Sequence, residues 1–359
     1  IVIAFLPYDE IGRRFSVTTK PLERYPSQLY FVDLNGDSIT EAIDATPGEL
    51  LNNIHFTDND FHVIEQWNLP DLFLPAISSL YFGDYDNDFF KEIYVFTAQA
   101  DSLFLNVNEF YQPLGLHINR HFVTTVKLVQ GRVDCVVQIC GTFDANGDQS
   151  GEVYFGITSG FGLEPRLLYS FDLVSRKLKS SPYTSINNNQ PVMADLDGDD
   201  RPELFGASTA SGNHHFKTPY SDYSAWLIVF DDQLQFKFPP VEVPGFGRVV
   251  EAKQYRDGSK SILVVAQNNY SADTTGSQSA IKLYSTKGEL LANRETSALG
   301  ISRQFRLAVL EAAPKDQVVL IADAMYLISD KLELMRKIEF PTDFGAANGF
   351  FQTDVNGDD

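Results

Sequence analysis

Apolar and polar residues alternate along most of the chain in short runs separated by Asp, Asn, Gly and Lys. Period-two alternation sends successive side chains to opposite faces, so each run predicts a β-strand. Two runs around a polar turn predict a β-hairpin. This form occurs in NIHFTDNDFHVIEQW (53–67), LLYSFDLVSRKLKSS (167–181), WLIVFDDQLQFKF (226–238), AIKLYSTKGELLA (280–292) and MYLISDKLELMRKI (325–338). FLNVNEFYQPLGLHI (104–118) takes the same place after the first of them. A different pattern precedes the hairpins: an apolar strand, an acidic loop and a second apolar strand. It occurs as FVDLNGDSITEAI (31–43), FGDYDNDFFKEIY (82–94), TFDANGDQSGEVY (142–154) and MADLDGDDRPELF (193–205). QTDVNGDD (352–359) begins a further copy and stops before its Glu.

The first aspartates of these loops are Asp33, Asp84, Asp144, Asp195 and Asp354, at spacings of 51, 60, 51 and 159. The last spacing is three times 53, so two units without acidic loops are expected inside it. RVVEAKQYRDGSKSILVVA (248–266) and FRLAVLEAAPKDQVVLIAD (305–323) supply them, with shortened Asp-Gly and Pro-Lys-Asp turns. Each unit then has four strands: A before the loop, B after it, and C and D in the hairpin. Seven such units of about 50 residues predict an all-β fold, a seven-bladed β-propeller of four-stranded antiparallel blades. The expectation is a single domain over 1–359. Its seventh blade is shared between the hairpin at 1–19 and strand A at 349–359, which closes the ring and removes the sheet edges. That blade is truncated at Asp359, so the chain is expected to be part of a longer protein.

Composition agrees with strands: 28 Phe and 16 Tyr stand against 3 Met, and aromatic residues favour sheets. Net charge is −20, from 48 acids and 28 bases. Such a surface repels phosphate backbones and anionic membranes, so nucleic acid is not an expected partner. No apolar run approaches the roughly 18 to 20 residues of a membrane span, and IVIAFLPYDE at the start has no basic signal-peptide region. Cys135 and Cys140 are five apart in one strand, on opposite faces, and are not expected to pair.

The acid excess is concentrated in the loops, where carboxylates or amides recur at positions 1, 3, 5 and 9. Calcium takes six to eight oxygens, and such a loop can turn several onto one centre, with a backbone carbonyl from position 7. The candidate ligands are Asp33, Asn35, Asp37, Ile39 and Glu41; Asp84, Asp86, Asp88, Phe90 and Glu92; Asp144, Asn146, Asp148, Ser150 and Glu152; and Asp195, Asp197, Asp199, Arg201 and Glu203. Asp354, Asn356 and Asp358 would begin a fifth, truncated site. Gly36, Gly147 and Gly198, with Asn87 in the second loop, occupy position 4, where positive φ lets the chain curl. An EF-hand would carry Gly at position 6 and Glu at position 12. Magnesium prefers a stricter octahedron, and zinc would call for His or Cys. Four calcium ions would bring the net charge from −20 to about −12.

These strand–loop–strand units, with Phe-Gly flanks in ELFGAS (203–208) and VYFGI (153–157), resemble FG-GAP or VCBS repeats. The resemblance implies the seven-bladed propeller of integrin α chains and of many bacterial surface proteins. It also implies calcium at the loops above, and none in units five and six, which lack the acids.

In this strand order A–B and C–D turns share one face, and B–C and D–A loops the other. A ligand is expected away from the calcium loops. The most distinctive B–C loop is 207–226, with His214, His215, Lys217, Tyr220, Tyr223 and Trp226; aromatics beside polar groups suit a protein or carbohydrate ligand. Arg248, Arg303 and Arg306 near strand A of units five and six are candidates for an anion site at a channel mouth. No Gly-x-Ser-x-Gly, His-Glu-x-x-His or P-loop occurs, so no catalytic residues are assigned. The expected function is a non-enzymatic recognition module for ligand sensing or adhesion. It would lie outside the cytoplasm (extracellular, cell-surface or periplasmic), where calcium is abundant. A polysaccharide-active enzyme of lyase type and a structural spacer are the alternative readings.

Overall fold

The computed structural model describes residues 29–33, 41–44, 53–57, 62–69, 71, 80–86, 88, 90–109, 119–160, 163–184, 187–214, 218–258, 260–269, 279–301, 304–311 and 315–340. These form antiparallel strands in chain order. Among them the only helical segment is the single 3-10 turn Thr296–Leu299, and no helix is long and apolar enough to cross a membrane. The terminal segments 1–19 and 349–359, expected to share a blade, lie outside the described residues.

Four of the sheets are four-stranded meanders. Unit one comprises Leu29–Val32, Glu41–Asp44, Asn53–Thr57 and Val63–Asn68. Unit two comprises Tyr81–Gly83, Glu92–Gln99, Ser102–Glu109 and Asn119–Thr125. Unit three comprises Cys135–Phe143, Glu152–Ser159, Arg166–Phe171 and Leu178–Ser180. Unit six comprises Arg306–Leu310, Gln317–Ile321, Ala324–Ile328 and Leu334–Glu339.

The second strand of each unit explains how the sheets stack. In Glu92–Gln99, Ile93 and Val95 enter a core with Ile43, Ile54 and Trp67 of unit one. Their neighbours Tyr94 and Phe96 enter another with Val137, Phe155 and Tyr169 of unit three. The alternation repeats further on. Tyr154 and Leu204 share a core between units three and four, Phe205 and Val265 one between four and five, and Val264 and Leu320 one between five and six. Each inner sheet is therefore buried on both faces by its predecessor and its successor. Aromatic pairs tighten these seams; the Phe96 and Phe155 rings lie 4.8 Å apart, a contact worth about 0.5–1.5 kcal/mol beyond area burial. First strands of neighbouring sheets lie against one another, as Cys135–Phe143 does with Asn187–Ala194. Fourth strands such as Leu290–Glu295 and Leu334–Glu339 are largely exposed. Inner first strands, outer fourth strands and face-to-face stacking in chain order make a propeller-like arrangement.

Two local expectations are corrected. The return strand of unit two is Asn119–Thr125, beyond the hairpin expected within 104–118. Units four and five are not separate sheets: Asn187–Ala194, Glu203–Thr209, Arg248–Asp257, Lys260–Asn269, Ala280–Tyr284 and Leu290–Glu295 are one six-stranded sheet. The cause is a fork at the second strand. Leu204 still pairs with Phe230. Further along, the Ser208 hydroxyl donates to Trp226 O (2.7 Å) and accepts from Trp226 N–H (2.8 Å), replacing ladder bonds. Ala207–Thr209 then pair with Val249–Glu251, and Ser224–Leu227 pairs outward with Val241–Pro244. The cysteines behave as expected. Both are free thiols, Cys135 in the core shared with unit two and Cys140 against the core shared with unit four.

Candidate metal centre

Three acidic loops are described closely enough to compare, and they share one hydrogen-bond scheme. The position-9 glutamate accepts the position-2 N–H: Tyr85 to Glu92 at 3.0 Å, Ala145 to Glu152 at 2.8 Å and Leu196 to Glu203 at 2.8 Å. The position-5 aspartate accepts the position-7 N–H: Phe90 to Asp88 at 2.9 Å, Ser150 to Asp148 at 3.0 Å and Arg201 to Asp199 at 2.9 Å. The position-1 aspartate gathers further backbone donors, as Asp195 does from Gly198 (2.7 Å) and Asp200 (3.0 Å). Gly147 and Gly198 have φ near +78° and +79°, the left-handed curl that position 4 requires.

In unit two, Asp84, Asp86, Asp88 and Glu92 each bring a carboxylate oxygen within 4.8 Å of the others. Glu92 opens its strand and is 1% exposed. Its Oε2 holds the Tyr85 N–H and the Tyr94 hydroxyl (3.1 Å), while its buried Oε1 has no partner among the described residues. Burial pushes this carboxyl up to about 7, and Asp86 adds repulsion. A buried acceptor left open beside three more carboxylates fits a hard divalent cation.

Units three and four differ from this. In unit three the Asn146 amide N–H donates to Glu152 Oε1 at 2.7 Å, and the three acids do not bring ligand atoms within the unit-two distance. In unit four Asp195, Asp197 and Glu203 converge without Asp199, and Lys237 lies among them, 2.7 Å from Asp197 Oδ2 and 2.6 Å from Glu203 Oε1. In unit one Asp33 is half-buried and Glu41 pairs across from Val32; Asn35, Asp37 and Ile39 lie outside the described residues. So do Asp354, Asn356 and Asp358.

The loops also touch one another. Gly151 N–H bonds Tyr85 O at 2.8 Å, Arg201 donates to Ala145 O at 3.3 Å, and Gln254 donates to Asp195 O at 2.7 Å. Arg201 also pairs with Asp232 of the unit-four C–D turn. A–B loops and C–D turns thus share one face. In units five and six, basic side chains replace the acidic loops there: Arg256 pairs with Asp316 (3.3 Å), and Lys315 with Asp257 (2.9 Å) and Asp330 (2.7 Å).

The opposite ends of the second strands carry a separate polar cluster. Arg166, 1% exposed, pairs with Asp222 at 3.2 Å and donates to Asn213 at 2.7 Å. Asp222 Oδ2 also accepts the Asn213 and His214 N–H groups, both at 3.0 Å. Its buried Oδ1 has no partner among the described residues. The Tyr183 hydroxyl lies 3.0 Å from His214 Nε2 and bonds Glu164. Of the expected ligand residues, His214 is buried. Tyr220 packs edge-on against Trp226 and Phe236, each at 5.2 Å, and the Trp226 Nε1–H donates to Ser221 O. Tyr223 does face solvent, with Phe246 beside it over Gly212. His215 and Lys217 lie outside the described residues. Arg248 is buried and Arg306 exposed, so they do not form one anion site; Arg303 lies outside the described residues. Lys237, Arg166, Asp222, Tyr183, Glu164 and Phe246 escaped the sequence reading. Lys237 alone left a trace, as a lysine between two Phe in an alternating run.

No protein-family model matches the chain, and no curated protein matches it. Among solved structures it is similar to BBS1N, crystallised in complex with ARL6DN, at a TM-score of 0.49 and 9% identity over 89% of this chain and 83% of that one. The V. cholerae biofilm matrix protein Bap1 is similar at 0.47 and 13% identity, over 86% and 69%. BamB from Moraxella catarrhalis is similar at 0.34 and 10% identity, over 87% of each chain. All three are propeller-like proteins.

Proposed function

We propose that this chain is a calcium-stabilised recognition module of a larger extracytoplasmic protein, on a seven-bladed propeller of the FG-GAP or VCBS type. The observation that carries the reading is the unit-two loop, where four carboxylates converge and the buried Glu92 Oε1 lacks a partner among the described residues. A divalent cation there would be held by Asp84, Asp86, Asp88 and Glu92, and would tie strands A and B at one end of the blade. In the same reading Asp144, Asn146, Asp148 and Glu152 serve unit three after the Asn146 amide turns. The ligand, a protein or a glycan, is taken on the other face, where Tyr223 and Phe246 expose an aromatic pair. Calcium titration by calorimetry tests the first part: wild type releases heat on binding, and Glu92→Gln loses one site. An unchanged site count after Glu92→Gln refutes it. A glycan array and a cell-surface capture screen, each with Tyr223→Ala alongside, test the second part.

One observation favours an enzymatic second reading. The Tyr183 hydroxyl, between Glu164 and His214, is placed for proton transfer and is partly open to solvent. A lyase would show as rising ultraviolet absorbance of unsaturated product over acidic polysaccharides, abolished by Tyr183→Phe.

A further inference from the structure

The unit-four loop already contains a cation. Lys237 Nζ bridges Asp197 Oδ2 and Glu203 Oε1, two of the three carboxylates that converge there. Its position is set by the fold. Phe230 pairs with Phe236, and Lys237 N–H bonds Val229 O at 2.9 Å. Lys237 therefore sits on the returning arm of a hairpin whose other arm pairs with the loop's own strand at Leu204. Glu203 is 1% exposed, so its charge calls for a partner in place. In unit two the equivalent oxygen of Glu92 has none among the described residues.

An ammonium and a calcium ion compete for such a site. Calcium would take these carboxylate oxygens at about 2.3–2.6 Å. A lysine nitrogen within 2.7 Å of the same oxygens would then face two positive charges a few ångströms away, an interaction that is strongly repulsive in a partly buried setting. We infer that Lys237 takes the place of the divalent cation in unit four, so that this loop folds around the chain's own ammonium and binds no calcium. The inference rests on the calcium reading of the neighbouring loops and corrects it for one of them. It also places unit four between two regimes. Units one and two have no lysine at this position in the sequence. In unit three the register-equivalent Lys179, opposite Ser170, donates to Gln233 Oε1 at 3.2 Å. Units five and six join their turns by Arg256–Asp316 and Lys315–Asp257 pairs.

The test is a count of bound calcium per chain, by equilibrium dialysis and atomic spectroscopy. The proteins are wild type, Lys237→Met, the double variant Asp197→Asn/Glu203→Gln, and Glu92→Gln. Lys237→Met should bind one more ion than wild type, and its melting point should fall in chelator and recover in calcium. Lys237→Gln replaces it if the Met variant does not fold. The double variant should bind as many ions as wild type. Loss of an ion in the double variant, or no gain in the Lys237 variant, overturns the inference. An unchanged count in Glu92→Gln would instead overturn the calcium reading of unit two, so the two failures are distinct.

Discussion

The loops of units two and four carry the same spacing of acids and the same backbone hydrogen bonds, yet they balance their charge differently. Around Asp84–Glu92 four carboxylates converge, and the buried Glu92 Oε1 has no partner among the described residues. Around Asp195–Glu203 a lysine from the next hairpin joins them. The comparison separates two features that a motif merges. The position-9 glutamate is set by a backbone N–H in either loop, so the curl of the chain is the same in the loop that Lys237 enters as in unit two. The positive charge set against the acids is the variable part. A propeller-like fold offers a ready alternative source for it, because C–D turns share a face with A–B loops.

The largest way to break this comparison is to remove calcium. Binding to the native state alone stabilises by about 2.7 kcal/mol per site at a hundredfold excess over Kd. Chelator should therefore lower the melting point of wild type by several degrees, with units one to three responsible. An unchanged midpoint would make the unit-two acids a turn with no metal role. Next in size is a pair of variants with opposite dependence. Glu203→Gln leaves Lys237 beside Asp197 without its buried partner; breaking a buried pair costs about 3 kcal/mol, less here because Lys237 is partly exposed. That loss should be the same in calcium and in chelator. Glu92→Gln should lose stability only in calcium, and should be neutral or better in chelator, since a buried open acceptor no longer carries charge. If both variants respond alike, the loops are equivalent and the comparison fails.

The strand layout was legible because the second strands are buried on both faces. Ile93, Tyr94, Val95 and Phe96 read as an unbroken apolar run, and the structure sends alternate members into different cores. The return strand of unit two was misplaced because Leu114, Leu116 and Ile118 imitate an alternating run just before Asn119–Thr125. The acid spacing was legible because the loop is local. Lys237 was not, because it lies 34 residues beyond Glu203 and meets it only through the Phe230 pairings. The Arg166–Asp222 pair, 56 residues apart, was hidden for the same reason. An Arg at the start of RLLYSF reads as solvent-facing until the unit-four loop closes over it. The fork at Ser208 was equally invisible, since it depends on one hydroxyl meeting both polar groups of Trp226.

Acidity sharpens the comparison by a smaller amount. Without calcium the Glu92 carboxyl titrates at about 7, against 4.5 ordinarily. Between these values the folded chain keeps a proton that the unfolded chain has released. Stability in chelator should therefore fall as pH rises from about 4.5 to about 7 and level off above. The Glu203 carboxyl is also raised by burial, but Lys237 opposes the shift, so unit four adds less slope. Melting curves across this range should lose most of their slope in Glu92→Gln, and also in wild type with calcium. A slope that survives Glu92→Gln would place its origin elsewhere in the chain.

The smallest effect extends the comparison to the units with no acidic loop. Lys315 joins Asp257 of unit five to Asp330 of unit six, on the face where the acidic loops of the earlier units lie. All three side chains are open to solvent, and exposed ion pairs contribute little because water and salt screen them. Lys315→Gln should shift the melting point only slightly, and less still at high salt. The shift should be identical in calcium and in chelator, because no metal takes part at this seam. A calcium-dependent shift would mean that units five and six hold a cation after all, and that basic side chains supplement the metal in this fold instead of replacing it.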